Sequence, residues 1–332
     1  MIDGYLNFLV FMLKYIKKHL EKRQTMGITG DTVGRFAPSP SGYTHLGNLA
    51  SYLLAWLDAR SVGGSIMLRI EDIDLNRCSE GFAEQIADDL LFLGLDWDNE
   101  LSPNFYQSRR TSMYEDIFGQ LMKRDMLYPC YCSRSQRLAA SAPHPGEYSH
   151  DTGCRCKYLS YYERLQLEKA GKKPAWKIRV PDKEIVFTDG HYGAVRQNLA
   201  DDGDFIVRRS DGVFAYQLAV SFDDMAMGVN RVVRGRDLLN STAKQIWLIN
   251  ELGGIPPEYC HAPLLISESG KKLSKRDGDL SIKQLRKSYS AVEIIGFIAK
   301  QLNIGDGKPI SVKGLLNRFD WSLIPENDII LK

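Results

Sequence analysis

Apolar positions Leu46, Leu49, Ala50, Leu53, Leu54 and Leu57 recur three and four residues apart, and this stripe predicts an amphipathic helix starting at Leu46. The apolar run Val33 to Ala37 precedes it and predicts a short buried strand. After the turn residues Gly63 and Gly64, Ile66 to Ile70 predicts a second strand. Strand, loop, helix, turn and strand in that order form the building block of a parallel sheet. Two further helices are predicted near Glu80 to Leu93, stopped by Gly94, and near Arg110 to Met122. From about Tyr128 to Lys173 the periodicity fades into cysteine, proline and polar residues, which suggests an insertion between two halves of the sheet. Strands return at Trp176 to Val180 and Glu184 to Thr188. Phe205 to Arg209, the Asp211-Gly212 turn and Val213 to Phe222 predict a hairpin. Asn230 to Arg234 predicts a strand, Ser241 to Leu252 a helix, Ala262 to Ser267 a strand, and Ala291 to Leu302 a helical patch.

The chain has 332 residues and a formal net charge of +2, with 44% hydrophobic and 25% charged residues, an ordinary balance for one large or two modest soluble domains. This charge neither establishes nor excludes a local nucleic-acid face. Six cysteines are too few for a disulfide scaffold, and four cluster as Cys130-x-Cys132 and Cys154-x-Cys156, so a metal site in a reducing cytoplasm is expected. The spacing by itself suggests a four-thiolate zinc knuckle. Near the N-terminus, Leu6, Leu9, Leu13, Ile16 and Leu20 sit at helical spacing before a basic tail, and the apolar run is too short for a bilayer. Three readings stand: a docking helix, a helix packed on the body, or upstream sequence ahead of a start at Met26. No membrane association and a monomer are expected.

Two distant strings carry the chemistry. Pro38-Ser39-Pro40-Ser41-Gly42-Tyr43-Thr44-His45-Leu46-Gly47-Asn48 places an imidazole and glycines where a helix begins, and Lys272-Leu273-Ser274-Lys275-Arg276 is a basic loop. A helix N-terminus binds phosphate, and a lysine follows a moving phosphate as a compact point charge. The bland readings are a surface turn and a solvated basic loop.

These strings resemble the HIGH and KMSKS motifs of class I aminoacyl-tRNA synthetases. Arg35 to Asn48, Arg69 to Asp74 and Val232 to Leu239 are similar to the glutamyl branch, and the likeness runs from about Gly34 to Asp277. Asn48 replaces the final His of the first motif, and Leu273 and Arg276 replace the Met and last Ser of the second. The resemblance implies an α/β fold: a Rossmann-type parallel-sheet catalytic domain with an inserted zinc-containing acceptor-end-type subdomain and no anticodon-binding domain. The implied division is 1–25 as an extension, 26–127 and 176–277 as the two catalytic halves, 128–175 as the cysteine insertion, and 278–332 as a short tail. By the same resemblance, His45 and Lys275 are catalytic, and His45, Gly47, Asn48 and Lys275 bind ATP. Arg35, Phe36, Ala37, Pro38, Ser39, Glu71, Tyr216 and Arg234 bind glutamate, the two arginines as forks for carboxylates and Glu71 for the ammonium. Taken singly, each of these residues also has an ordinary structural reading. The family suggests Cys130, Cys132, Tyr148 and Cys154 as zinc ligands, with Cys156, His150 and Tyr158 as competitors for the fourth place.

Only residues 276 to 332 follow the lysine loop, too few for an α-helical anticodon reader. That outline resembles the glutamyl-queuosine tRNA(Asp) synthetase family. The implied reaction joins glutamate to AMP with Mg-ATP, without needing tRNA, and then transfers it to queuosine in the anticodon of tRNA(Asp). The alternatives are a truncated glutamyl-tRNA synthetase that charges a 3′ end, and a noncatalytic nucleotide or glutamate sensor.

Overall fold

The computed structural model describes residues 31–133, 154–268 and 281–331. Residues 1–30, with the predicted N-terminal helix, therefore lie outside the described residues.

Strand β1 (Val33–Phe36) is followed by helix α1 (Leu46–Ser61) and strand β2 (Ser65–Leu68), and β1 and β2 pair in parallel with Val33 opposite Ser65. The predicted stripe of α1 is buried, and so are Trp56 and Ala59, so this helix is enclosed on more than one side. Helix α2 (Glu80–Phe92) is capped by the Ser79 side chain, which accepts from the Phe82 N–H, and helix α3 (Thr111–Lys123) follows.

The next region is antiparallel. Strand β3 (Leu127–Cys130) pairs with β4 (Ala175–Ile178), with a polar helix α4 (Tyr161–Lys169) between them in sequence. Helix α4 buries no side chain and starts with a capping box between Ser160 and Glu163. Its lack of an apolar stripe is why periodicity does not predict it. Strands β5 (Glu184–Asp189) and β6 (Gly193–Asn198) form a hairpin, and β7 (Phe205–Arg208) joins the far edge of β4.

The hairpin predicted over 205–222 does not form. The Asp211-Gly212 turn forms, with Gly212 at φ +91°, but only a single Arg208–Phe214 bridge follows it. The chain then enters helix α5 (Tyr216–Ala226). Leu218, Ala219, Phe222, Met225 and Ala226 give helical spacing, while Ser221, Asp223 and Asp224 are buried as well and blur the pattern.

Strand β8 (Arg231–Gly235), helix α6 (Thr242–Glu251) and strand β9 (Glu258–Ala262) make the second parallel unit, with Arg234 opposite His261. The predicted strand from Ala262 to Ser267 is really two pieces, because Pro263 separates the end of β9 from β10 (Leu265–Ile266). Helix α7 (Ala291–Gln301) and strand β11 (Ile329–Ile330), which pairs with β10, close the described chain.

The two parallel units meet at β1 and β8. Asn230 N–H donates to the Val33 carbonyl, and Asn230 Oδ1 accepts from Val33 N–H. Strands β2 and β9 therefore lie on opposite outer sides, and the two crossovers leave in opposite directions. A crevice at the carboxyl ends of two such strands is where open α/β sheets bind ligands. One apolar core packs α1 against β1, β2 and α7, and a second packs α3, α5 and α6 together. Each fully buried leucine of α1 contributes about 1.5–3 kcal/mol.

Candidate active site

A cavity of about 460 Å³ opens at that switch point. Arg35, Ala37, Pro38 and Ser39 reach it from the end of β1, His45, Gly47 and Asn48 from the start of α1, Glu71 from the segment after β2, Tyr216 from the start of α5, and Arg234 from β8. Sequence reading thus named ten residues that share one wall. Phe36 differs: its side chain is fully buried in the core, edge-on to Tyr52 at 5.6 Å, and does not line the cavity. Its backbone still shapes the site, because the Phe36 carbonyl accepts from Arg69 N–H and the Pro38 carbonyl from Glu71 N–H.

His45 is the N-cap residue of α1, and its carbonyl accepts from the N–H groups of Asn48 and Leu49. The helix end leaves first-turn N–H groups without helical partners, and the helix dipole favours an anion there. Gly47 has a specific steric reason. A Cβ at this position meets the His45 ring at 3.1 Å, so any larger residue presses the imidazole out of its place by a few tenths of an ångström.

The charged wall is a chain of alternating sign. Arg35 Nε lies 3.4 Å from Asp224, Asp224 accepts from Arg69 at 2.7 Å, and Arg69 donates to Glu71 at 2.9 Å. All four are buried. Burial pushes the Glu71 carboxyl above its usual range, against the opposing pull of Arg69 and Arg35. Burial likewise raises the Tyr52 and Tyr216 phenols, and these two hydroxyls stay protonated at neutral pH.

Arg234 is more tightly held than the fork expected from sequence. Its Nε donates to His261 Nε2 at 3.0 Å, Nη1 to Gln245 Oε1 at 2.7 Å, and Nη2 to Thr242 Oγ1 at 2.9 Å and the Leu238 carbonyl at 3.3 Å. Of the five guanidinium N–H groups, one on Nη1 is left without a partner among the described residues. Arg35 keeps more capacity: Nη1 donates to the Val233 carbonyl at 3.3 Å, and Nη2 has no hydrogen-bond partner among the described residues.

Lys275 lies outside the described residues. The described chain on either side of that segment does reach the cavity: Leu265 lines it, and Ser281 bridges His45. Sequence reasoning missed Tyr52, Asp224, His261 and Asp189. A signal existed for Tyr52, which lies seven residues beyond His45, two turns along one face of α1. No local signal marks the other three.

A second cluster sits at the end of β3. The sulfurs of Cys130, Cys132, Cys154 and Cys156 all lie within 4.8 Å of one another. Cys130 to Cys154 is 3.7 Å, and Cys132 is 3.6 Å from both Cys154 and Cys156. Tetrahedral zinc with Zn–S of about 2.3 Å requires sulfurs about 3.8 Å apart, so the donor set fits. The geometry follows the plain reading of the four cysteines. Tyr148 and His150 lie outside the described residues, and Tyr158 is an exposed side chain. Burial pushes the Cys130 thiol up to about 11, so cation binding there must displace a proton. Cys156 Sγ accepts from the Tyr131 N–H at 3.3 Å, a contact that also suits a thiolate.

Residues 32–301 match the catalytic domain of the tRNA synthetases class I (E and Q). The chain belongs to this family, in its glutamyl-Q tRNA(Asp) synthetase group. The Glutamyl-Q tRNA(Asp) synthetase of Nitratidesulfovibrio vulgaris is 42% identical over 308 residues, 90% of this chain and 94% of the relative. That of Symbiobacterium thermophilum is 43% identical over 306 residues, 89% of this chain and 94% of the relative. A crystal structure of a glutamate tRNA ligase from Elizabethkingia meningosepticum, in complex with its amino acid, matches with a TM-score of 0.75 at 26% identity, over 91% of this chain and 67% of that one. The expected class I synthetase α/β domain with parallel strands is what the family and the fold give. Among the described residues no helix is long and apolar enough to cross a membrane.

Proposed function

We propose that this chain activates L-glutamate with ATP and transfers it to queuosine in the anticodon of tRNA(Asp), with no tRNA needed for activation. The observation that carries this reading is the charge pattern of the cavity: one buried carboxylate, Glu71, flanked by two buried arginines, Arg35 and Arg234, beside the N-terminus of α1. Glutamate presents the complementary set of one ammonium and two carboxylates. Glu71 receives the ammonium, and Arg35 and Arg234 receive the carboxylates. Ser39 and Tyr216 add hydrogen bonds, and the backbone of Phe36, Ala37 and Pro38 forms the floor.

The glutamate α-carboxylate oxygen attacks the α-phosphorus of ATP. The new O–P bond gives the mixed anhydride, and the bond to pyrophosphate breaks. His45 and the first-turn amides of α1, with Gly47 and Asn48 beside them, stabilise charge on the phosphoryl oxygens. Lys275 is assigned as the second cation, and magnesium accompanies the phosphates of ATP. A queuosine hydroxyl then attacks the activated carbonyl, forming an ester and releasing AMP.

Zinc is assigned to Cys130, Cys132, Cys154 and Cys156. A closed four-thiolate site holds loops and does not activate water. Residues 128–175 are assigned as the insertion that this site stabilises, between catalytic halves 26–127 and 176–277, with 1–25 an extension and 278–332 a tail. The convergence of all four cysteines within 128–175 supports this division. The chain is taken to act as a cytoplasmic monomer. Identity of 42–43% to two proteins named for glutamyl-Q tRNA(Asp) synthesis supports the choice of acceptor.

The test is charging of tRNA(Asp) prepared with and without queuosine, using labelled glutamate. Label is expected on the queuosine-containing tRNA alone. Equal labelling of both, or removal of the label by 3′-end trimming, replaces this reading with a truncated glutamyl-tRNA synthetase.

A further inference from the structure

Arg234 is the end of a relay that starts outside the cavity. Along β5, Ile185 and Asp189 are buried while Glu184, Val186 and Thr188 are exposed, so the strand's alternation turns Asp189 inward. Asp189 Oδ1 accepts from three backbone N–H groups, those of His191 at 3.1 Å, Tyr192 at 3.0 Å and His261 at 3.2 Å. Its Oδ2 faces His261 Nδ1 at 2.6 Å. The parallel register of β8 and β9 sets His261 opposite Arg234, and Arg234 Nε donates to His261 Nε2 at 3.0 Å. His261 and Asp189 are 0% and 1% exposed, so water does not substitute for any of these bonds.

The proton positions follow from the partners. Arg234 Nε–H is always a donor, so Nε2 of His261 is an acceptor. Nδ1 therefore carries the ring proton and donates to Asp189. Burial pushes His261 below its usual range, and Arg234 and Arg35 add to this, outweighing the hydrogen bond to Asp189. The ring is neutral and in one tautomer. The neighbouring Tyr259 ring lies nearly parallel to it, 6.3 Å away.

We propose that Asp189 and His261 are positioning residues that fix the donor geometry of Arg234 and thereby set the affinity of the cavity for a carboxylate of its amino-acid substrate. This deepens the glutamate reading and rests on it. Neither residue lines the cavity, so each acts through Arg234.

Asp189→Asn isolates the effect. The three backbone N–H groups keep the amide oxygen where Oδ1 stands, so the amide NH2 faces Nδ1 of His261. A donor there forces the ring proton onto Nε2, where it confronts Arg234 Nε–H. Two buried donors face each other, and the arginine shifts. The expected result is a rise of about tenfold or more in the glutamate KM for pyrophosphate exchange, with the ATP KM unchanged. Nitrogen-15 NMR of the imidazole reports protonated Nδ1 in the parent protein and protonated Nε2 in the variant. In a second pair, His261→Phe removes the acceptor and raises the glutamate KM, while His261→Gln restores an oxygen acceptor and returns the KM to within about threefold of the parent.

A flipped tautomer with an unchanged glutamate KM overturns the relay, as does a parent ring protonated on Nε2. Equal rises in both KM values, or no rescue by His261→Gln, also overturn it in favour of a purely structural role. Absence of glutamate-dependent exchange in the parent protein overturns the glutamate reading itself, and the relay's role with it.

Discussion

The cavity and the cysteine cluster are organised by opposite means. Around the cavity, the buried charged groups have protein partners: Arg35 with Asp224, Arg69 with Asp224 and Glu71, and Arg234 with His261, Gln245 and Thr242. These groups are held in place before any ligand arrives, the arrangement that lowers the ordering cost of binding. Around the cysteines the apolar support is slight. Tyr128, Cys130, Tyr131 and Cys156 form a small buried cluster, to which neighbouring α4 adds only the partly buried Leu167. Four thiols converge there without a large core to hold them. One region is set by side-chain networks, while the other gathers four thiols with a donor set that fits zinc.

Removing an anchor from the cavity gives the largest effect. Arg234→Ala lowers kcat/KM for glutamate-dependent exchange by on the order of a thousandfold, since it removes a buried cation and strands the groups that held it. The ATP KM stays within about threefold, as expected for loss of an amino-acid contact. A variant with equal losses in both substrates blurs the contrast between the two regions.

Disrupting the cysteine cluster separates the two steps. Cys132→Ser, or treatment with a strong chelator, lowers tRNA charging by about tenfold or more. Glutamate-dependent exchange stays within about threefold of the parent, because the cavity has its own supports. Metal analysis is expected to find one zinc per chain in the parent and less in the variant. If exchange and charging fall together, the two regions are not independent.

Much of this was legible in the sequence. The α1 stripe, the flanking strands and the Gly63-Gly64 turn signal the first parallel unit directly. Nine of the ten cavity residues were legible because the motif around His45 and the stretches around Glu71 and Arg234 are local strings, and Tyr216 alone lies outside them. What escaped was either buried and polar or distant. Helix α5 was mistaken for a strand because Asp223 and Asp224, which look like surface residues, are buried as ion-pair partners of Arg110, Arg69 and Arg35. Helix α4 was missed because it has no buried face. The pairing of Asp189 with His261 spans 72 residues and exists only once β5 and β9 are packed. The one-donor state of Arg234 was equally invisible, since it depends on four partners brought in by folding.

In the proposed function, this cavity selects glutamate by its charges. The direct measurement is pyrophosphate exchange with purified protein, comparing L-glutamate, L-glutamine and L-aspartate without tRNA. Exchange is expected with glutamate and little with the other two, because glutamine lacks the second carboxylate and the shorter aspartate cannot place both carboxylates on the two arginines at once. Exchange with glutamine as fast as with glutamate would contradict it.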